Sequence, residues 1–399
     1  MRFSSKIQRC NPSPIRKFYP YQVELQKRGV KIYNLNIGQP DIKTPEAYFD
    51  VCKTFSDPVL AYAPSPGIPS LINAIQTYYA GLGCHYKEDE IIITAGGSEA
   101  LWFTLNAILD DGDEILIPEP FYPNYNTFTN TTGAKVVPIP TSPEKGYRYV
   151  DRAKIESLIT PNTRALMFTN PGNPTGVVLS EKELRILADI AKSHDLFLIA
   201  DEVYREFVYG GEKITSIGQF DDIADNAIII DSVSKRFSAC GSRVGCLISR
   251  NRELQKNVLK LCQARLSVAT LEQLAAAALY HVGPNYFSPI CKEYKKRRDT
   301  VYEGIRKIPG VVCVEPQGAF YMMAKLPIDN AEQFMLWLLT EFSDNNETVI
   351  FAPGAGFYAT PGKGQNEIRI AYVLNCSDLA RAMELLGLAV EQYNKRGEN

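Results

Sequence analysis

The sequence predicts an α/β protein with a large domain built on a mostly parallel β-sheet and a smaller α+β domain. From about residue 90 to about 250, short β-rich apolar runs alternate with longer stretches of helical period, which is typical of βα units around a parallel sheet. After about residue 285, a charged helical stretch and shorter alternating runs replace this pattern. The length of 399 residues is sufficient for two domains.

The predicted division has an N-terminal arm with part of the small domain at 1–45, the large domain at 46–285 and the C-terminal small domain at 286–399. Strands of the large domain are predicted at 91–94, 114–117, 135–138, 165–168, 197–200, 227–230 and 245–249. Helices are predicted at 98–109 and at 181–193, where Ser180 and Glu183 match a capping box ahead of an apolar stripe.

The small domain is predicted to contain a helix around 292–308, a closing helix near 379–392 and three strands, at 319–324, 348–351 and 367–372. The first 30 or so residues, rich in proline and tyrosine, are predicted to form an arm without regular structure.

The composition is ordinary for a globular protein, with 45% hydrophobic and 22% charged residues, and it excludes a disordered, collagen-like or membrane-spanning chain. A net charge of −2 argues against nucleic-acid binding. The nine cysteines are scattered without a Cys-x-x-Cys pair, so we expect them to be reduced thiols. Because the chain has only three histidines, a histidine-rich metal site is not expected and a Ser-His-Asp triad has few candidate residues. The polar residues 1–14 lack the apolar run of a secretory signal, so a cytoplasmic protein is expected.

Several polar motifs follow predicted strands, at the edge of a parallel sheet where ligands bind. Gly97 and Ser98 begin a helix whose free N–H groups suit a phosphate, although a plain turn with Ser98 as the helix N-cap is the alternative. The absence of a Gly-x-Gly-x-x-Gly or Walker pattern here disfavours a dinucleotide or a nucleoside triphosphate. The loop 170–176, Asn-Pro-Gly-Asn-Pro-Thr-Gly, carries two amides that can donate to a ligand oxygen, or it is a purely structural turn.

Four charged residues complete the candidate set. Asp201 ends an apolar run, where an unpaired carboxylate is costly, so it either meets a cation or caps a helix. Lys235, in Ser-Val-Ser-Lys, is either an imine-forming amine or a solvated surface lysine. Arg243 offers a planar fork for a phosphate or carboxylate, and Arg369, on an apolar strand, requires an anion if it faces inward.

Together these motifs resemble the aminotransferase class I/II family, pyridoxal-phosphate enzymes of fold type I, over almost the whole chain. The resemblance rests on the 170–176 loop, on Asp-Glu-Val-Tyr with Asp201 28 residues after Asn173, and on Ser-x-Ser-Lys with Lys235 34 residues after Asp201. It implies a three-layer large domain, a small α+β domain and pyridoxal 5'-phosphate as the cofactor.

The resemblance also implies roles for individual residues. Lys235 would hold the cofactor as an imine and move the proton at the substrate Cα, and Asp201 would pair with the ring nitrogen. Asn173 and Tyr204 would hydrogen-bond the phenolic oxygen, and Tyr122 would stack on the ring. The residues implied for the phosphate are Gly97, Ser98, Ser232 and Arg243.

Three further features follow from the resemblance. Tyr62 would reach the phosphate of the neighbouring subunit, which implies a homodimer with shared active sites. Arg369, helped by Gly38, would bind the substrate α-carboxylate. The segment 354–357 would be a loop that closes over substrate.

The implied activity is ping-pong transfer of an amino group between an L-amino acid, of the aspartate or aromatic type, and a 2-oxo acid, with 2-oxoglutarate expected. No metal, nucleic acid or membrane partner is expected. Alanine-like and kynurenine-type amino-acid donors are alternative substrates. A carbon–sulfur β-lyase of the same fold is an alternative activity. A non-catalytic regulatory domain is a more remote alternative, because it would need a helix-turn-helix segment that the arm is too short to hold.

A preference for an acidic amino acid would require a second cation, in addition to Arg369, to bind the distal carboxylate. Ser98 stands where some bacterial aspartate enzymes of this subgroup carry a lysine, so another residue would have to bind a distal carboxylate. Arg16 on the arm is a candidate, and a solvated arginine is the alternative. Phe18, Tyr19 and Tyr21 could line an aromatic pocket or serve only in packing.

Overall fold

The computed structural model describes residues 1–210, 214–283 and 285–396, so the last three residues of the predicted C-terminal domain lie outside the described part. Within it the strands are β1 (Lys31–Asn34), β2 (Ile91–Thr94), β3 (Glu114–Pro118), β4 (Lys135–Ile139), β5 (Thr163–Thr169), β6 (Phe197–Asp201), β7 (Ala227–Ser232), β8 (Gly245–Ile248), β9 (Val312–Cys313), β10 (Tyr321–Lys325), β11 (Glu347–Ile350), β12 (Ala352–Pro353) and β13 (Glu367–Ala371).

A seven-stranded sheet in the order β2-β8-β7-β6-β5-β3-β4 forms the centre of the larger unit. Only β8 pairs antiparallel with its neighbours, β2 and β7, in this described sheet, and the other pairs are parallel. Each of the seven predicted strands is present, which confirms the α/β class. Because β6 and β7 run parallel side by side, their last residues, Asp201 and Ser232, lie at the same edge of the sheet.

Both faces of this sheet are buried, as the continuous apolar strands require. Along β5, Leu166 and Phe168 pack into one cluster, while Ala165 and Met167 pack into another, because successive side chains point to opposite faces. Helices cover each of these two apolar faces, so the larger unit has three layers, with the sheet in the middle.

The helices of the described residues are α1 (Ser5–Gln8), α2 (Tyr19–Lys27), α3 (Glu46–Thr54), α4 (Pro69–Ala80), α5 (Gly97–Ile108), α6 (Asn124–Thr132), α7 (Arg152–Glu156), α8 (Glu181–Ser193), α9 (Val233–Arg236), α10 (Arg252–Arg265), α11 (Thr270–Leu279), α12 (Phe287–Ile305), α13 (Ala331–Thr340) and α14 (Cys376–Lys395). The capping box of α8 is present: Glu183 N donates to Ser180 Oγ over 3.3 Å, and Ser180 N donates to Glu183 Oε2 over 2.8 Å. No helix in 1–210, 214–283 or 285–396 is long and apolar enough to cross a lipid bilayer.

A smaller α+β unit contains the antiparallel sheet β12-β13-β10-β9 and the parallel pair β1-β11. Its core joins apolar side chains of β10, β11 and β13 to those of α12, α13 and α14. The boundaries 45/46 and 285/286 stay predictions.

The prediction that the first 30 residues lack regular structure is wrong. This segment contains α1 and α2, and Leu25 of α2 and the preceding Phe18 are buried in the core of the smaller unit. Pro20 and the weak apolar periodicity of α2 hide the helix in the sequence, because its stability comes from tertiary packing of a few residues.

Candidate active site

A cavity of about 760 Å³ opens at the carboxyl edge of the seven-stranded sheet, lined by both units and by the arm. The structure brings eleven predicted site residues together in its wall: Gly38, Gly97, Ser98, Tyr122, Asn173, Asp201, Tyr204, Ser232, Lys235, Arg243 and Arg369. Tyr62 does not line the cavity; its side chain is 81% exposed, beside exposed Val59 and Leu60. These residues are far apart in the chain and meet because the parallel strands all end at one edge.

Asp201 is a buried carboxylate in the cavity wall. Tyr125 Oη donates to its Oδ2 over 2.6 Å, and Val203 N donates to its Oδ1 over 3.4 Å. Burial raises the pKa of Asp201 to about 6, and the hydrogen bond from Tyr125 opposes this rise. No helix begins after Asp201, so the helix-cap alternative is wrong. A cation, such as a protonated ring nitrogen, would stabilise this carboxylate.

Lys235 lies on α9, directly after β7, and its side chain is half-buried in the cavity wall rather than solvated on the outer surface. Its Nζ donates to the carbonyl oxygen of Gly38 over 2.8 Å and contacts Cys240 Sγ at 3.8 Å. The amine therefore faces the same cavity as Asp201.

The amino end of α5 lies beside the Arg243 guanidinium. The helix begins at Gly97 and its N-cap is Gly96, at φ +80°, so the alternative with Ser98 as N-cap is wrong. A Cβ on Gly96 would lie 2.6 Å from Arg243 Nη2, and a Cβ on Gly245 would lie 2.7 Å from Gly97 N. The free backbone N–H groups at the amino end of α5 and the adjacent Arg243 guanidinium together form a site that suits a phosphate.

Arg369, on β13, is a buried guanidinium with incomplete hydrogen bonding. Its Nη2 donates to the carbonyl oxygen of Asn36 over 2.6 Å and its Nη1 donates to Asn173 Oδ1 over 3.2 Å, whereas Nε has no partner among the described residues. The guanidinium lies over the rings of Tyr321, at 4.6 Å, and Phe357, at 5.0 Å. Burial lowers the pKa of Arg369, and a carboxylate in the cavity would relieve that cost.

Three tyrosine hydroxyls, those of Tyr122, Tyr204 and Tyr321, form a further set of polar groups in the cavity wall. Tyr204 Oη lies 3.0 Å from Tyr321 Oη, and Asn173 Nδ2 donates to Tyr204 Oη over 3.4 Å. Tyr122 Oη accepts from Asn124 Nδ2 over 2.8 Å. Two donors, Asn173 and Tyr204, thus converge in the cavity wall as expected for a ligand oxygen.

Sequence reasoning missed Tyr125, Tyr321 and Cys240. A buried Asp201 signals that a donor must exist, but among 22 tyrosines the sequence does not say which one supplies it. Tyr125 lies in the first turn of α6, close after Tyr122 in the chain, and this proximity to a predicted site residue was the only local signal.

These features fit pyridoxal phosphate group by group. A buried carboxylate suits the basic ring nitrogen, a lysine amine suits the aldehyde, and the amino end of α5 with Arg243 suits the phosphate.

A family model for aminotransferase class I and II matches residues 30–386. The chain is 29% identical to an aspartate aminotransferase of Bacillus subtilis, over 99% of this chain and 100% of that protein. It is 32% identical to aromatic-amino-acid aminotransferase 2 of Thermococcus litoralis, over 96% and 97%. The solved structure of an alanine aminotransferase from Pyrococcus furiosus superposes with a TM-score of 0.89, at 31% identity, over 98% of this chain and 100% of that chain.

Proposed function

The chain belongs to the aminotransferase class I and II family, and from this premise we propose that it moves an amino group between aspartate or an aromatic amino acid and a 2-oxo acid, with 2-oxoglutarate as the acceptor. It is a pyridoxal-phosphate-dependent aminotransferase of fold type I. The observation that carries the substrate class is Arg369, a buried guanidinium whose Nε has no partner among the described residues.

The proposed residue roles use the geometry of the cavity. Pyridoxal phosphate, when bound, supplies a carbonyl that condenses with amines and a conjugated ring that accepts electrons. Asp201 holds a proton on the ring nitrogen, and Asn173 and Tyr204 donate toward the phenolic oxygen. Tyr122 stacks on the ring.

The phosphate is proposed to lie at the amino end of α5, on Gly97 and Ser98, with Ser232 and Arg243 beside it. Arg369 binds the substrate α-carboxylate with Gly38 alongside, and this orients the Cα–H bond. Lys235 then takes and returns the Cα proton. Donor and acceptor use the same carboxylate site in turn, so the kinetics are ping-pong.

A homodimer is part of the proposal. The segment with Val59, Leu60 and Tyr62 presents apolar side chains to solvent, and an exposed apolar patch of this kind favours a subunit interface. Tyr62 would reach the phosphate site of the partner subunit. We also propose a cytoplasmic location, which the scattered cysteine pattern supports.

The direct test is to add amino acids one at a time to the purified holoenzyme without an oxo acid. The proposal requires conversion of bound pyridoxal phosphate to pyridoxamine phosphate with one oxo acid released per site. Continuous release of pyruvate and ammonia with an unchanged cofactor band would instead indicate a lyase and overturn it.

A further inference from the structure

A pair of buried charges lies behind Lys235, and the reaction so far described does not use it. Arg236, the residue after Lys235, is 1% exposed, and Asp231, near the end of β7, is 0% exposed. Arg236 Nη2 donates to Asp231 Oδ2 over 2.7 Å, and neither residue lines the cavity. A buried ion pair adds little to stability compared with an apolar pair of similar volume, so this pair is a candidate for a positioning role.

The ion pair closes the turn that carries Lys235. Asp231 directly precedes Ser232 and Arg236 directly follows Lys235, so the two charges join the ends of a segment with two proposed cofactor-binding residues. Asp231 Oδ1 also accepts from Ser232 N over 2.7 Å. Helix α9 has four residues, too few to be stable through its own hydrogen bonds. Its orientation therefore depends on anchors such as this ion pair.

Two tyrosines of α4 attach the ion pair to the rest of the larger unit. Tyr79 Oη donates to Asp231 Oδ2 over 2.9 Å. The Arg236 guanidinium lies over the Tyr78 ring at 4.2 Å, and its Nε is 3.8 Å from Glu206 Oε1. Neither Nε nor Nη1 of Arg236 has a hydrogen-bond partner among the described residues. Within that part of the chain, Asp231 is thus the hydrogen-bond acceptor that holds this guanidinium.

The direction of the Lys235 side chain follows from the position of Arg236. The two are consecutive residues of one helical turn, so their side chains diverge by about 100°. With Arg236 fixed in the core, Lys235 extends into the cavity. The contacts of its amine there are the carbonyl oxygen of Gly38, at 2.8 Å, and Cys240 Sγ, at 3.8 Å. The placement of the amine therefore depends mainly on the backbone of α9.

We propose that Arg236 is a positioning residue: held by Asp231 and Tyr78, it fixes α9 so that the Lys235 amine stays aligned with the substrate Cα. This inference rests on the proposed function, in which Lys235 moves the Cα proton. A displacement of about 1 Å in a reacting group slows a reaction about hundredfold. Substrate binding by Arg369, on β13 of the smaller unit, does not depend on α9. Loss of Arg236 should therefore slow the chemical step and leave substrate affinity unchanged.

The test compares Arg236→Gln, which removes the charge, with Arg236→Lys, which keeps it. The control is Arg298→Gln, because Arg298 is also a buried arginine, ion-paired with Asp299 and Glu315 in the smaller unit. Single-turnover reactions of the holoenzyme are measured with L-aspartate and L-phenylalanine. For Arg236→Gln we expect the maximal rate constant to fall about ten- to hundredfold and the apparent dissociation constant to change less than about threefold. Arg236→Lys should recover most of the rate, and Arg298→Gln should match the wild type.

Visible circular dichroism of the bound cofactor reports its geometry at Lys235 independently of turnover. Arg236→Gln should lose part of this signal, whereas Arg298→Gln should keep it. Because Arg236→Gln leaves the buried Asp231 charge without its partner, a second variant, Asp231→Asn with Arg236→Gln, removes both charges and should show the same losses.

A lower stability with wild-type rates and dichroism, in Arg236→Gln or in the double variant, would show that the ion pair serves the fold alone and would overturn the proposal. Losses of substrate affinity as large as the losses of rate would overturn it too. If the wild type binds the cofactor but converts no amino acid, the proposed function fails, and the dichroism still decides whether Arg236 positions Lys235.

Discussion

Tyr125 donates a hydrogen bond of 2.6 Å to Asp201, and both side chains are buried. The bond stabilises the charged form of the carboxylate, yet burial dominates and raises the pKa of Asp201 to about 6. When Asp201 is charged and no cation is near, its burial lowers the stability of the fold. When a cation occupies the cavity beside it, the buried charge is compensated and binds that cation strongly. Because the cofactor ring nitrogen would supply that cation, we expect the protein to be most stable when its cofactor is bound.

The first prediction concerns Asp201→Asn. Because the folded pKa of about 6 lies above the unfolded value of about 4, wild-type stability falls as pH rises from about 4 to about 6. The apoenzyme of Asp201→Asn should therefore be more stable than the wild-type apoenzyme at pH 8, by about 2 to 3 kcal/mol, and the difference should vanish below about pH 4. Urea unfolding of apoenzyme across this pH range is the measurement.

With pyridoxal phosphate bound, the order should reverse, since Asp201 then pairs with the ring nitrogen, and turnover of Asp201→Asn should fall about hundredfold or more. The exposed Asp57→Asn serves as the control. Near-normal kinetics for Asp201→Asn would refute its assignment.

Lys235→Ala tests the amine. We expect loss of the pH-dependent visible band of bound cofactor and a drop of about hundredfold or more in turnover, because the group that moves the Cα proton is gone. Lys260→Ala, on the exposed side of α10, is the matched control. An unchanged band in Lys235→Ala would mean that another amine holds the cofactor.

Arg369→Ala should weaken every amino-acid substrate alike, by about tenfold or more in kcat/KM, because all of them carry an α-carboxylate. Steady-state kinetics with aspartate, phenylalanine and alanine would measure this. A loss restricted to the acidic donor would show that Arg369 binds the side chain instead.

Gly245→Ala tests the close approach between β8 and the amino end of α5, where the phosphate is proposed to bind. A Cβ there would lie 2.6 Å from Gly96 C and 2.7 Å from Gly97 N, both backbone atoms that cannot move aside freely. We expect weaker cofactor binding and a loss of about 1 to 3 kcal/mol in stability. Gly241→Ala, which would meet no atom within 4 Å, should change neither. Equal behaviour of the two variants would contradict the geometry.

Tyr62→Ala tests the shared site. If Tyr62 reaches the partner's phosphate, its removal should weaken cofactor affinity by about tenfold while sedimentation still reports a dimer. Tyr19→Ala, another exposed tyrosine, is the control. A monomeric wild-type enzyme that binds pyridoxal phosphate normally would rule out the shared site.

Much of the fold could be read from local patterns. The helix Glu181–Ser193 was predicted to the residue because an amphipathic stripe and a capping box coincide there. The seven strands of the large sheet and three strands of the smaller unit were predicted to within a few residues, since each is a short apolar run between turn residues. The short strands Lys31–Asn34, Val312–Cys313 and Ala352–Pro353 were not predicted. Helix α2 was missed, because Phe18 and Leu25 stabilise it through contacts that the local sequence does not encode.

The sequence by itself determined the strands of the large sheet, the family and most of the residues with the chemistry of the site, since these depend on local pattern and motif spacing. Only the tertiary structure decided which groups meet. Tyr125 on α6 meets Asp201 at the end of β6, Tyr321 on β10 meets Tyr204, and the packing of Ile15 and Phe18 on the smaller unit sets Arg16 at the cavity. The two tyrosine pairings join residues 76 and 117 positions apart, and they follow from the burial of apolar surface over the whole chain rather than from any local run.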